Sequence, residues 1–161
     1  ISFSRLVAGA ASNDKFLEPE FLNADAKIGD TGVDEIAHAN IKFKNGIEAK
    51  VSTAIRESMK NNAIIIGTDG SIELPDPWMP GRDGGPYHAQ IIITKNNEEE
   101  IIDVKGPEHL FFFEAELASQ SIAKEKVQAP HPAMSWDDTL GNLKALDQWR
   151  DRVNYKLPQD E

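Results

Sequence analysis

Cysteine is missing altogether from this chain of 161 residues, which excludes disulfides, thiolate metal sites and a Cys nucleophile. Its absence also points to a cytoplasmic protein. Positive charge is scarce: 17 Lys and Arg face 27 Asp and Glu, for a net charge of −10. A surface of that sign repels phosphate backbones and anionic lipid, so neither nucleic acid nor membrane is expected as a partner. No apolar run approaches the roughly 20 residues of a membrane span, and no secretory signal is present. The signature motifs of common chemistries are missing too. There is no His-Glu-x-x-His, no Gly-x-Gly-x-x-Gly, no P-loop and no Gly-x-Ser-x-Gly elbow. The first residue is Ile1 rather than Met, which suggests a piece of a longer polypeptide.

What is present is hairpin chemistry. Val33–Phe43 and Ile47–Arg56 read as strands around Asn45-Gly46, and Ala63–Gly67 and Ser71–Leu74 as strands around Asp69-Gly70. Asn-Gly and Asp-Gly tolerate the positive φ of two-residue type I′ turns, so Asn45-Gly46 is expected to be one. Asn96-Asn97, between Gln90–Lys95 and Glu98–Val104, makes the same argument more weakly. Glu20–Ile28 alternates with Leu22, Ala24, Ala26 and Ile28 on one face. In the next strand Ala37, Ala39, Ile41 and Phe43 share the expected core face, leaving Ile36, His38, Asn40 and Lys42 on the other.

Helices flank these strands. Ile1–Ala11 carries Phe3, Leu6, Val7 and Ala10 at helical spacing, and Leu110–Lys124 carries Phe111, Ala115, Ala118 and Ile122. Ser135 with Asp138 forms a capping-box pattern before a helix whose expected buried stripe is Trp136, Leu140, Leu143, Leu146, Trp149 and Val153. The fold class is therefore α+β, an open, mainly antiparallel sheet with helices packed on one face. Pro75–Pro86, with four prolines and three glycines, is a long loop carrying Trp78 and Arg82; Trp78 either serves a ligand or plugs the core. The four histidines, His38, His88, His109 and His131, form no metal-ligand spacing, and His88, just after that loop, is the one best placed for a ligand.

Four segments in register resemble a known family: ISFSRLVAGA (Ile1–Ala10), GDTGVDEIAHANIKFKNGIEAKVSTAIR (Gly29–Arg56), IIIGTDGSIELPDPWMPG (Ile64–Gly81) and MSWDDTLGNLKALDQWR (Met134–Arg150). Together they resemble the C-terminal domain of the glucose–fructose oxidoreductase / inositol dehydrogenase / MocA (Gfo/Idh/MocA) family, whose fold is dihydrodipicolinate-reductase-like. The resemblance implies one substrate-binding and oligomerisation domain over residues 1–161, with the N-terminal Rossmann domain absent. It implies NAD or NADP in the full-length protein, bound by the missing domain, and a sugar, polyol or related hydroxy compound as substrate. It also implies a homo-oligomer, dimer or tetramer, formed through the sheet face. The family's catalytic Glu-Lys-Pro and Asp/His residues lie upstream of Ile1, so no catalytic, cofactor-binding or metal-binding residue is assigned in this chain. Substrate-side candidates are Arg5, Arg56, Trp78, Arg82 and His88, with a structural ion pair as the competing role for Arg5 and Arg56. The alternative to an enzyme domain is a non-catalytic binding or assembly module of the same fold.

Overall fold

The computed structural model describes residues 1–80, 86 and 88–157. Its elements run α1 (Ser2–Ala10), β1 (Pro19–Ile28), β2 (Asp34–Phe43), β3 (Glu48–Ala54), β4 (Ala63–Ile66), β5 (Gly70–Leu74), β6 (His88–Lys95), β7 (Glu98–Lys105), α2 (Leu110–Ala123) and α3 (Trp136–Arg152). The α+β class with antiparallel pairing holds throughout, and the strands fall into two sheets, β1-β2-β3 and β4-β5-β6-β7. Each sheet belongs to its own compact unit, one comprising Ile1–Met59 with Gln128–Glu161 and the other Lys60–Val127.

In the first unit β2 is central, and its alternate residues Ala37, Ala39, Ile41 and Phe43 are buried, as the alternation of the sequence requires. The core adds Ala8 and Leu17 from α1 and its exit, Phe21 from β1 and Ala145 from α3. In β1 the core residue is Phe21 rather than Leu22. A register shift between Phe21 and Asn23 leaves Leu22 as the extra residue of a bulge, 44 % exposed. The opposite face is polar and cross-linked: Asn40 donates to Asn23 at 2.6 Å, and His38 shares a 2.8 Å hydrogen bond with Ser52.

The helices do not bury the stripes that the apolar spacing predicts. The capping box forms, with the Ser135 hydroxyl accepting from the Asp138 amide. Yet α3 turns Gly141 and Ala145 inward, while Trp136, Leu140 and Leu143 remain 60 %, 65 % and 52 % exposed. The reason is geometric. The Arg5 side chain lies against α3 at Gly141, where a Cβ would meet it, and of the expected stripe Trp149 packs on the core beside Phe21. In α2, Ser121 is buried and Leu117 half-buried, while Phe111 and Ile122 stay exposed.

The turns differ in type from the expectation. Asn45-Gly46 belongs to a three-residue loop: the Gly46 amide donates to Phe43 O at 2.9 Å and the Phe43 amide to Ile47 O at 2.9 Å. Only Gly46, at φ 86°, is left-handed, so this is a type I turn closed by a glycine bulge. Gly29 to Val33 repeats the pattern, with Gly32 at φ 80°. In the β4–β5 hairpin the loop residues are Thr68 and Asp69; Gly70 begins the strand, where a Cβ would run into the carbonyl of Thr94. The true type I′ pair is Asn96-Asn97, at φ 53° and 64°.

Candidate functional site

The closing end of the first sheet forms an open polar cleft of about 440 Å³. Lys27 and Ile28 end β1, Gly29 and Asp30 enter the turn, Glu35 and Ile36 start β2, and Arg56 and Glu57 follow β3. Alternation puts Lys27 beside Ile36 in the register, and the Ile55 amide, bonding Glu35 O at 2.9 Å, carries the ladder past β3 to deliver Arg56. Glu35 is the hub. Its carboxylate meets Lys27 Nζ at 2.8 Å and Arg56 Nε at 3.5 Å. The Lys27 hydrogen bond, and then the charges of Lys27 and Arg56, hold its pKa below the usual carboxylate value. Gly29 leaves room for this arrangement, since a Cβ there would press on the Glu35 carboxyl. With Nε against Glu35 and the side chain 70 % exposed, Arg56 presents the rest of its planar guanidinium to solvent. Such a group can fork onto a carboxylate, a phosphate or a pair of neighbouring hydroxyls.

A second polar cluster lies on the β6–β7 surface. Pairing of His88 with Lys105 and Gln90 with Asp103 puts all four residues on one face. Asp103 accepts from Gln90 at 3.0 Å, shares a 3.2 Å contact with His88 Nε2 and lies 3.4 Å from Lys105 Nζ. Those contacts, Gln90 first and His88 next, lower its pKa to about 2.

Arg5, a candidate for substrate contact, is a structural group instead. Its side chain is fully buried, donating to Glu18 Oε1 at 2.7 Å and to the Asp138 carbonyl at 2.8 Å, with its guanidinium 4.6 Å from the Phe16 ring centre. No surface is left for a ligand, and the competing ion-pair reading is the one the geometry supports. Trp78 is 51 % exposed, so it does not plug a core. Arg82 lies outside the described residues. Arg56 and His88 belong to different compact units and sit in different clusters. The sequence missed Lys27 and Glu35, whose signal was a lysine and a glutamate at facing ends of adjacent strands.

The helix N-termini bear on cofactor chemistry. Among the described residues, α2 is capped by its own His109, and α3 by Ser135 with Asp137 and Asp138 in its first turn. The acidic first turn of α3 disfavours a pyrophosphate, whereas α1 has neither a side-chain cap nor an acidic residue in its first turn. No group of three or more metal-ligating side chains occurs among the described residues, and no helix is long and apolar enough to cross a membrane.

No protein-family model matches the chain. Along its whole length it is 20 % identical to trans-1,2-dihydrobenzene-1,2-diol dehydrogenase of Mus musculus, of which it spans 45 %. Identity to the Danio rerio enzyme of the same name reaches 34 % over 64 residues, 39 % of this chain and 19 % of that one. The fold matches KijD10, a 3-ketoreductase from Actinomadura kijaniata solved with NADP, with a TM-score of 0.73 at 17 % identity over 94 % of this chain and 45 % of that one. The chain thus spans a little under half the length of the proteins it resembles over most of its extent.

Proposed function

We propose that the chain is a C-terminal domain of the glucose–fructose oxidoreductase / inositol dehydrogenase / MocA family, the substrate-side and assembly half of an NAD(P)-dependent oxidoreductase. The observation that carries the proposal is the full-length match to less than half of two kinds of oxidoreductase. Hydride transfer needs a nicotinamide held against the substrate carbon. With no Gly-x-Gly-x-x-Gly turn in this sequence to cradle its pyrophosphate, the cofactor is assigned to the other half of the polypeptide. This chain's residues contribute binding and orientation. Arg56, steered by Glu35 and Lys27, is assigned to hydroxyl or anionic groups of a sugar, polyol or vicinal diol, with His88 and Trp78 as further substrate-side groups. The polar outer face of the first sheet, with Ile36, His38, Asn40, Lys50 and Ser52, is assigned to contact with a second copy, and the protein to the cytoplasm.

The test has two arms. NADH and NADPH are titrated calorimetrically into the isolated chain, and no binding in the micromolar range is expected. The polypeptide that contains the chain together with its other half is then assayed with vicinal diols, sugars and ketones for absorbance change at the reduced nicotinamide band. Turnover with one of these substrates, with KM raised and kcat little changed in Arg56→Met, is the expected result. Tight cofactor binding by the chain alone would overturn the division of labour. A lack of any nicotinamide-dependent turnover would leave a non-catalytic assembly module.

A further inference from the structure

We propose that Asn45 is a site of spontaneous covalent modification, an asparagine that deamidates to aspartate and isoaspartate whenever the β2–β3 hairpin opens and that the folded molecule holds in its amide form. Asn45-Gly46 is the one Asn-Gly pair in the sequence; every other asparagine precedes a residue with a side chain. The chemistry needs nothing beyond the chain and water. The Gly46 backbone nitrogen attacks Asn45 Cγ, and an N–Cγ bond forms as Cγ–Nδ2 breaks. The amide proton of Gly46 leaves with Nδ2 as ammonia. The resulting cyclic imide takes up water at either carbonyl, giving aspartate or, with the backbone rerouted through Cγ, isoaspartate. Glycine favours this reaction because no Cβ obstructs the attack.

The fold engages both reacting atoms. Asn45 Nδ2, the leaving nitrogen, donates to the Ala8 carbonyl at 3.0 Å and to Ser12 Oγ at 2.9 Å. The nucleophile, the Gly46 amide, is tied to Phe43 O at 2.9 Å, and Asn45 Oδ1 accepts from the Ile47 amide at 3.3 Å. The side chain therefore latches the hairpin to the C-terminal turn of α1, satisfying a carbonyl that the helix leaves open. Attack requires these bonds to break together, which happens only in locally opened molecules. The products cannot restore the latch. A carboxylate has no hydrogen to offer the Ala8 carbonyl, and it places negative charge beside the negative end of α1. Isoaspartate adds a backbone atom to a loop whose register depends on Gly46 at φ 86°. Modification thus promotes the opening that caused it.

The experiment ages the whole protein in mildly alkaline buffer, folded and in strong denaturant. The peptide containing Asn45 is followed by mass spectrometry, with isoaspartate counted by enzymatic methylation. Deamidation of the folded protein is expected to be at least about tenfold slower than that of the unfolded chain. Ser12→Ala, an exposed change that removes one latch contact, should raise the folded rate several-fold and leave the unfolded rate unchanged. Equal rates in the two states, a folded rate indifferent to Ser12→Ala, or modification centred on another asparagine in the unfolded chain would each overturn the proposal.

Discussion

Replacing Gly141 by alanine should destabilise the protein, against the rule for helix interiors. Gly141 lies inside α3, where alanine is normally worth about 1 kcal/mol more than glycine. Here the new Cβ would collide with Arg5 Nη2 and Glu18 Oε1 and come within 3.0 Å of Arg5 Cζ. The guanidinium has nowhere to retreat, since Arg5 is fully buried between its Glu18 and Asp138 contacts. A lost hydrogen bond to a charged group costs about 1.5–3 kcal/mol, and the half-exposed Glu18 puts this case toward the low end. After the helix gain is subtracted, the net loss is about 0.5–1 kcal/mol, a fall of about 1–4 °C in the thermal midpoint. The check is a double-mutant cycle read by denaturant and thermal unfolding. In an Arg5→Met background the clash is relieved, and Gly141→Ala should become neutral or stabilising. If Gly141→Ala stabilises the parent protein, or acts equally in both backgrounds, Arg5 is not what holds Gly141 to glycine.

Further outcomes can be checked with the same material. Gly46→Val should cost about 1–2 kcal/mol of stability, read as a lowered denaturant midpoint, through backbone strain alone, because φ is 86° and a Cβ there meets no atom within 4 Å. Asp103 is held at about 2 against an ordinary 3.8, so its contribution to stability is complete above about pH 4 and lost as pH falls toward 2. Asp103→Asn should therefore flatten the pH dependence of stability in that acid window and leave the neutral-pH dependence unchanged; Glu35 and Glu73, lowered by their lysine partners, contribute in the same direction. Light scattering at tens of micromolar should report a dimer or larger, and Asn40→Arg, which brings like charges together across a two-fold axis, should dissociate it; a parent monomer, or an assembly indifferent to the change, refutes the sheet-face assignment.

Most element boundaries were legible because strand alternation and capping are local signals. Ala37, Ala39, Ile41 and Phe43 alternate without interruption, and each is buried. Ser135 and Asp138 lie three residues apart, and the reciprocal cap follows from that spacing alone. Turn type was harder, since the same Asn-Gly serves a two-residue loop or a three-residue loop with a bulge. The choice depends on which strand residues pair: Lys42 opposite Glu48 leaves Phe43 to close on Ile47. Helix faces were misread for a reason the chain itself supplies. Periodicity marks the bulkiest apolar stripe, but of that stripe Trp149 packs on the core, while Gly141 faces Arg5 and Ala145 is buried.

The candidate site shows where sequence reading stops. Arg5 and Arg56 looked alike in the sequence, each an arginine beside apolar residues in a chain rich in carboxylates. What separates them is long-range. Arg5 finds Glu18 after the α1 turn and Asp138 more than a hundred residues on, and those two partners enclose it. Arg56 finds Glu35, which is already shared with Lys27, at the open end of a sheet. Arg5 directs its two terminal nitrogens at protein groups and ties α1 to α3, whereas Arg56 is held through Nε with the rest of its side chain exposed. Local pattern supplies the residue type in both cases, and only the pairing of distant segments decides which arginine is enclosed and which is left exposed.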